Sequence, residues 1–315
     1  MSSQDSRRVF RNAPTWNSGD MELRVVAMQE NFRPKPESQQ FPDTPLPKHV
    51  GQLPFWPEPI RAVPNGFLRS ALFGVIKKGR RRYLEGEQIT AIDGVTIRYT
   101  GERLDQGDLD VWESALHIAR IQGLGSECRF TGYAMMKLLG KSDAGTNRAT
   151  LHNRLMRLKA NAIEVQQGRY SYAGSLIADV YRDTKTREYV LILNPKLLPL
   201  FAENHLTHVQ WAIRQELDGK PMAQWLHGFY ATHAKPLDYK WQTLLNLSGS
   251  ENEHARSGKQ KVLKALDALT KASAKHHEVF EHKMIGDLVH VEKNGSKSQQ
   301  RHLAKREKWA KKTQN

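Results

Sequence analysis

Two stretches of the chain place Arg, Asn, Gln, Ser and Thr on one side of a potential helix, and these are side chains that hydrogen-bond nucleic-acid bases. Arg256, Ser257, Gln260, Lys264, Asp267 and Lys271 fall opposite an apolar stripe of Val262, Leu266 and Leu269. Thr150, Asn153, Arg154, Arg157 and Asn161 fall in the same way opposite Leu151, Leu155, Leu158 and Ala162. A DNA major groove admits one α-helix, and Arg, Asn and Gln pair bidentately with base edges there. A lysine ammonium is a point charge without a fork, so Lys264 and Lys271 are read as phosphate partners. Either face alone is equally an ordinary solvated helix surface; two in equivalent positions of a basic chain favour DNA contact.

The charge balance points the same way. Lys and Arg number 48 against 33 Asp and Glu in 315 residues, a net charge of +15. Such a chain attracts polyanions. It carries neither an apolar run of membrane-spanning length nor a leader pattern, and the expectation is a cytoplasmic protein without a membrane span. Cys128 is the single cysteine, which removes internal disulfides and thiolate-rich zinc sites. The histidine pairs His205/His208 and His276/His277 lack a third ligand at a metal-binding spacing, so no metal and no cofactor are expected.

No catalytic arrangement is assigned. A phosphate-cradling G-x-x-x-x-G-K-[ST] loop is absent from the sequence. A strand-nicking enzyme needs a histidine pair for a divalent metal and a nucleophilic tyrosine. His290 has no second histidine two places away, and Tyr133 with Lys137 is an ordinary same-face helical pair. The chain is read as a binding protein and not an enzyme.

The elements that would carry the two faces occur in the same order twice. Trp112, Ala115, Leu116 and Ala119 mark a helix over about 109–121, Thr131 to Leu139 a shorter one, and Leu151 onward a third. A β-ribbon is expected from Ile163 to Gln167, Tyr170 to Tyr172 and Tyr189 to Leu193. Further on, Met222, Trp225, Leu226 and Phe229 start a second series. It continues through Trp241 to Leu247 and the basic helix, and ends in strands near Val279-Phe280 and Leu288 to Val291. The expected fold class is α+β, two tandem winged-helix domains, each a helix-turn-helix with a β-ribbon. Their expected bounds are 65–200 and 201–292. A proline-crowded flexible arm over 1–64 precedes them, and a basic tail over 293–315 follows. At the end of the arm, Gln52, Leu53, Phe55 and Trp56 form an apolar peptide that either docks in a partner's pocket or folds back onto the first domain.

Several motifs in fixed order resemble the TrfA family of plasmid replication initiators over most of 52–292. They are Trp56-Pro57-Glu58, Arg61-Ala62-Val63-Pro64-Asn65, Arg69-Ser70-Ala71-Leu72-Phe73, Ile97-Arg98-Tyr99-Thr100-Gly101, Asp110-Val111-Trp112 and Asp287-Leu288-Val289-His290. The resemblance implies binding of direct repeats, or iterons, in double-stranded origin DNA. It also implies opening of adjacent AT-rich duplex and recruitment of the host initiator and replicative helicase. Monomers would bind DNA, and a homodimer would be an inactive form that limits copy number. Family members carry a Gln-Leu-x-Leu-Phe peptide for the sliding clamp before the Trp-Pro motif. Here Gln52 to Trp56 overlaps that motif and ends in Phe and Trp. If the motifs are set aside, the same helices fit a winged-helix transcriptional regulator that binds as a stable dimer.

Overall fold

The computed structural model describes residues 56–76, 79, 81–92, 94–123, 126–167, 170–201, 205–251, 255–296, 299–301 and 303–304. All lie within one compact unit, 44–315. The described chain begins with Trp56, fully buried, then strand β1 (Ile60–Pro64) and a single helical turn, α1 (Asn65–Leu68). Short strand β2 (Phe73–Gly74), hairpin β3 (Tyr83–Ile89) and β4 (Val95–Glu102), and β5 (Leu104–Asp105) lead into helix α2 (Gln106–Gln122). Asp105 caps α2. Its carboxylate accepts from the Asp108 backbone N–H while that of Asp108 accepts from the Asp105 N–H, both at 2.9 Å, satisfying free donors of the first turn. Gly123, at φ 63, ends the helix in the left-handed region.

Next come β6 (Glu127–Thr131), α3 (Gly132–Leu138) and α4 (Gly145–Lys159). Hairpin β7 (Ala162–Gln167) and β8 (Tyr170–Gly174) precedes a second hairpin, β9 (Ile177–Arg182) and β10 (Glu188–Leu193). A 3-10 segment, Pro195–Phe201, leads to β11 (Leu206–Gln210), α5 (Trp211–Glu216) and α6 (Pro221–Ala231). The chain continues through β12 (Tyr239–Lys240), α7 (Trp241–Leu247), α8 (Ala255–Lys275), β13 (Phe280–Ile285) and β14 (Leu288–Lys293).

Strand β10 lies between β6 and β9, and β14 lies between β12 and β13. Apart from the β7–β8 hairpin inserted after α4, the series α2–β6–α3–α4–β9–β10 and α6–β12–α7–α8–β13–β14 therefore share both element order and strand order. The third strand of each, β6 and β12, is not visible in sequence because β6 is short and β12 spans only two residues. Two expectations about the first series need correction. Ile163–Gln167 and Tyr170–Tyr172 are not part of the ribbon of the first series: β7 pairs with β4, and the two hairpins form a separate sheet of order β3-β4-β7-β8. The ribbon is instead β9 with β10, in which Val180 pairs with Leu191. Ala162 does not extend the stripe of α4, since it opens β7 and is exposed.

Of the arm expected over 1–64, residues 1–55 lie outside the described residues, and Trp56 to Pro64 are built into the fold. Pro64 closes β1, whose one pairing is with β11 (Ala62 to His208), so the missing N–H of proline falls at a strand end and not in the middle of a ladder. At the other end Lys293 is the last residue of β14 rather than the start of a tail; residues 305–315 lie outside the described residues. No helix among the described residues is long and apolar enough to cross a membrane.

Two apolar cores result. The first joins Leu109, Trp112 and Ala115 of α2 to Leu151, Leu155 and Leu158 of α4 and to strand residues such as Ile97, Val165, Cys128 and Leu191. Burial pushes the Cys128 thiol up to about 12. The second joins Trp225, Leu226 and Phe229 of α6 to Leu244 of α7, Val262, Leu266 and Leu269 of α8, and Val289 and Val291 of the ribbon. Arg214 of α5 ties the two cores together. Its Nε lies 2.5 Å from Asp110 Oδ1 and 2.8 Å from Glu113 Oε1, and its Nη2 donates to the Gln106 carbonyl at 3.1 Å. The Trp225 indole N–H donates to the Ser70 carbonyl (3.0 Å), and Arg103 Nη2 to that of Gly249 (2.8 Å).

Candidate nucleic-acid interface

Helix α8 is held close against α7 by Gly258: a Cβ there would meet Leu245 Cδ2 at 2.8 Å and the Trp241 ring at 3.2 Å. That contact, with Val262, Leu266 and Leu269 buried, turns Arg256, Ser257, Gln260, Lys264, Asp267 and Lys271 outward, all of them exposed as the spacing predicts. Arg256, Ser257 and Gln260 occupy the first two turns. Asp267 Oδ1 lies 3.3 Å from His282 Nε2 of β13. Beside this face lies a cleft of about 400 Å³, lined by Lys264, Asp267, Lys271 and Lys275 of α8 and by Glu216 and Lys220 from the end of α5 and the turn after it. Lys275 is paired with Glu216 at 2.8 Å. On this face a guanidinium and an amide, Arg256 and Gln260, stand at the start of the helix and two ammonium groups, Lys264 and Lys271, farther along.

The face of α4 is built differently. Thr150 and Asn153 are exposed, and Thr150 Oγ1 donates to the Thr146 carbonyl at 2.8 Å. Arg154, Arg157 and Asn161 are not turned toward solvent as the spacing predicted. Arg157 Nη2 donates to Asp108 Oδ1 at 2.9 Å, and Arg154 Nη1 to the Gly107 carbonyl at 3.1 Å. Arg81 Nη1 adds a third cation, 3.2 Å from Asp108 Oδ2. The Asp108 carboxylate is completely buried in the first turn of α2, so it draws guanidinium groups from α4 and from the segment before β3. A Cβ at Gly107 would lie 2.1 Å from Arg154 Nη2, so the glycine leaves room for that guanidinium. Asn161 is buried; its amide donates to the Arg157 and Leu158 carbonyls at 2.8 Å and closes the end of α4.

Trp56 is likewise not available to a partner. It is 0% exposed, its indole N–H donates to His117 Nδ1 at 3.1 Å, and the Arg120 guanidinium lies 5.4 Å from its ring. Burial, with Arg61 and Arg120 nearby, lowers the His117 pKa to about 4, which keeps Nδ1 an acceptor. Of the two fates considered for this peptide, Trp56 takes the inward one; Gln52, Leu53 and Phe55 lie outside the described residues.

Sequence reasoning passed over two basic surfaces. Lys220 and Lys275 line the cleft beside α8 but belong to no single helical face, so only the tertiary structure joins them. The turn between β9 and β10 exposes Arg182, Lys185 and Arg187. There Asp183 Oδ1 accepts from the backbone N–H groups of Lys185 (2.7 Å) and Thr186 (2.9 Å), and Arg187 has φ 62. An Asp-Thr-Lys-Thr run between two strands is a turn signal in its own right.

The TrfA protein family matches residues 20–293. This chain belongs to the TrfA family. The plasmid replication initiator protein TrfA of Escherichia coli is 28% identical over 247 residues, covering 76% of this chain and 63% of that protein. The chain thus spans just under two thirds of the length of that TrfA relative. Among solved structures, selenomethionine derivatives of domains 2 and 3 of RctB align with a TM-score of 0.48 at 13% identity, over 72% of this chain and 94% of that one. A second structure of RctB domains 2–3 aligns with a TM-score of 0.44 at 11% identity, over 72% and 96%. The TrfA match takes in both repeated series, and the exposed face of α8 lies inside it.

Proposed function

We propose that this chain initiates plasmid replication by binding tandem direct repeats in double-stranded origin DNA. Each repeated series acts as a winged-helix unit, with α8 lying in a major groove and β13–β14 as its wing. The observation that carries this reading is the outward face of α8 in a TrfA-family chain of net charge +15: Arg256 and Gln260 exposed in its first turns, lysines beside them. Arg256 and Gln260 read bases, and Lys264 and Lys271 neutralise phosphates. The first unit adds contacts through Thr150, Asn153 and the Arg182–Arg187 turn, not through Arg154, Arg157 or Asn161. The bound monomer promotes melting of adjacent AT-rich duplex and brings in the host initiator and replicative helicase, in the cytoplasm; the homodimer is the inactive form. In this reading the chain makes and breaks no covalent bond.

The test is fluorescence anisotropy across a salt series. Duplexes carrying the tandem repeats beside the coding sequence are compared with shuffled duplexes of equal length. A preference for the repeats that persists as salt rises is the expected result. Equal binding that collapses with salt would leave only the net charge at work and would refute sequence reading by α8.

A further inference from the structure

The turn of the β13–β14 hairpin carries two exposed apolar side chains, Ile285 at 54% and Leu288 at 37% exposure, paired directly across the ribbon. Their neighbours Met284 and Val289 face the second core, so Ile285 and Leu288 project from the opposite side of the sheet. The tip is rigid. Asp287 Oδ1 accepts from the Trp241 indole N–H and from Lys259 Nζ, both at 3.1 Å, and the Asp287 carbonyl accepts from the Trp241 backbone N–H at 3.0 Å. Lys259 adjoins Gln260 in the chain, so the tip is braced beside the face of α8 that reads bases. On the projecting side, Lys240 pairs with Leu288, and Lys283 lies one rung farther along opposite His290. At the far end of the ribbon Glu281 and Glu292 face each other and would repel phosphate. Asp287 in the turn is paired with Lys259, and Lys240 and Lys283 flank the apolar pair, whereas Glu281 and Glu292 stand together at the base, so the tip is the end of the ribbon suited to a polyanion.

We propose that Ile285 and Leu288 form a wedge that enters the minor groove beside the groove occupied by α8 and unstacks one base step. Apolar side chains inserted in this way partly separate neighbouring base pairs and kink the duplex, while flanking lysines hold the two phosphate strands. The inference rests on the DNA-binding reading above and adds to it a mechanical part in opening the duplex.

The experiment uses the full-length chain, a duplex it enriches from a random pool, and 2-aminopurine placed at successive positions of that duplex. One position should brighten severalfold on binding. The Ile285→Ser/Leu288→Ser double variant, altered only at exposed positions, should bind the same duplex without that rise. Ile285→Ala alone, which leaves every brace of the turn intact, should lose at least half of it, and Lys283→Ala should keep the rise while flattening the salt dependence. A rise that survives in the apolar-to-polar variants, or wild-type binding that brightens no position, overturns the wedge and leaves the DNA reading standing. A pool from which nothing is enriched overturns both.

Discussion

In α4 the guanidinium of Arg157 lies 2.9 Å from a carboxylate oxygen that solvent does not reach, whereas in α8 the side chain of Arg256 is exposed. The two helices hold the same place in their series and carry similar residue types opposite an apolar stripe. They differ in what lies across from the polar side. The first turn of α2, with Asp108 buried as part of its capping box, covers the C-terminal half of α4 and takes up its arginines. A helix periodicity tells which side faces away from its own core and is silent on whether another element covers that side. The first unit's helix is thus anchored into the fold, and the second unit's is left available to a ligand.

Four measurements break or sharpen this contrast. The largest effect expected is acid destabilisation of the second core through His227. This imidazole is buried, and burial, reinforced by Arg214 and Lys293, lowers its pKa from 6.5 to about 3. The folded chain holds it neutral while the unfolded chain protonates it, so its contribution is complete above pH 6.5 and is lost as pH falls from there toward 3. Urea denaturation across that window should show a slope of up to ~1.4 kcal/mol per pH unit that His227→Gln removes. Equal slopes in both proteins would mean that His227 titrates freely.

Next in size, Arg157→Ala should lower stability by about 3 kcal/mol, because it withdraws a partner from a buried carboxylate. Its effect on DNA affinity should follow the loss of fold and not a loss of base preference. If stability is unchanged and sequence preference drops, the two helices are alike after all. Arg256→Ala and Gln260→Ala reverse the pattern: stability within about 0.5 kcal/mol of wild type, with discrimination between matched and mismatched repeats reduced by ~1–3 kcal/mol each. The smallest effect belongs to Lys264→Ala, which should weaken every duplex alike and reduce the slope of log affinity against log salt by about one. A change of preference in Lys264→Ala without one in Arg256→Ala would shift base reading from the start of α8 to the cleft.

Much of the architecture was legible because it rests on local pattern. Trp112, Ala115, Leu116 and Ala119 give α2 its face, and Val262, Leu266 and Leu269 give α8 its own. What escaped was decided by pairing between distant segments. Ile163–Gln167 alternates as a strand should, but nothing local states that its partner is Val95–Glu102 rather than Glu188–Leu193. The same holds for the candidate site. The outward set on α8 follows from spacing, whereas the loss of Arg154, Arg157 and Asn161 to internal contacts depends on a carboxylate nearly fifty residues away from Arg157 in sequence. Pro57, Pro59 and Pro64 read as an open arm, yet Trp56 and the strand after it are fastened to the first core.

Cys128 gives the first unit a property of use at the bench. It is the single thiol of the chain, it sits at 0% exposure on the strand beside the ribbon, and burial keeps it far from the thiolate form. A thiol reagent added to the native protein therefore meets nothing reactive until the first core opens, and the rate of labelling becomes a clock for that opening alone. A cysteine introduced on the exposed face of α8 would label at once, so a dye can be placed beside the bound duplex against a background that stays dark.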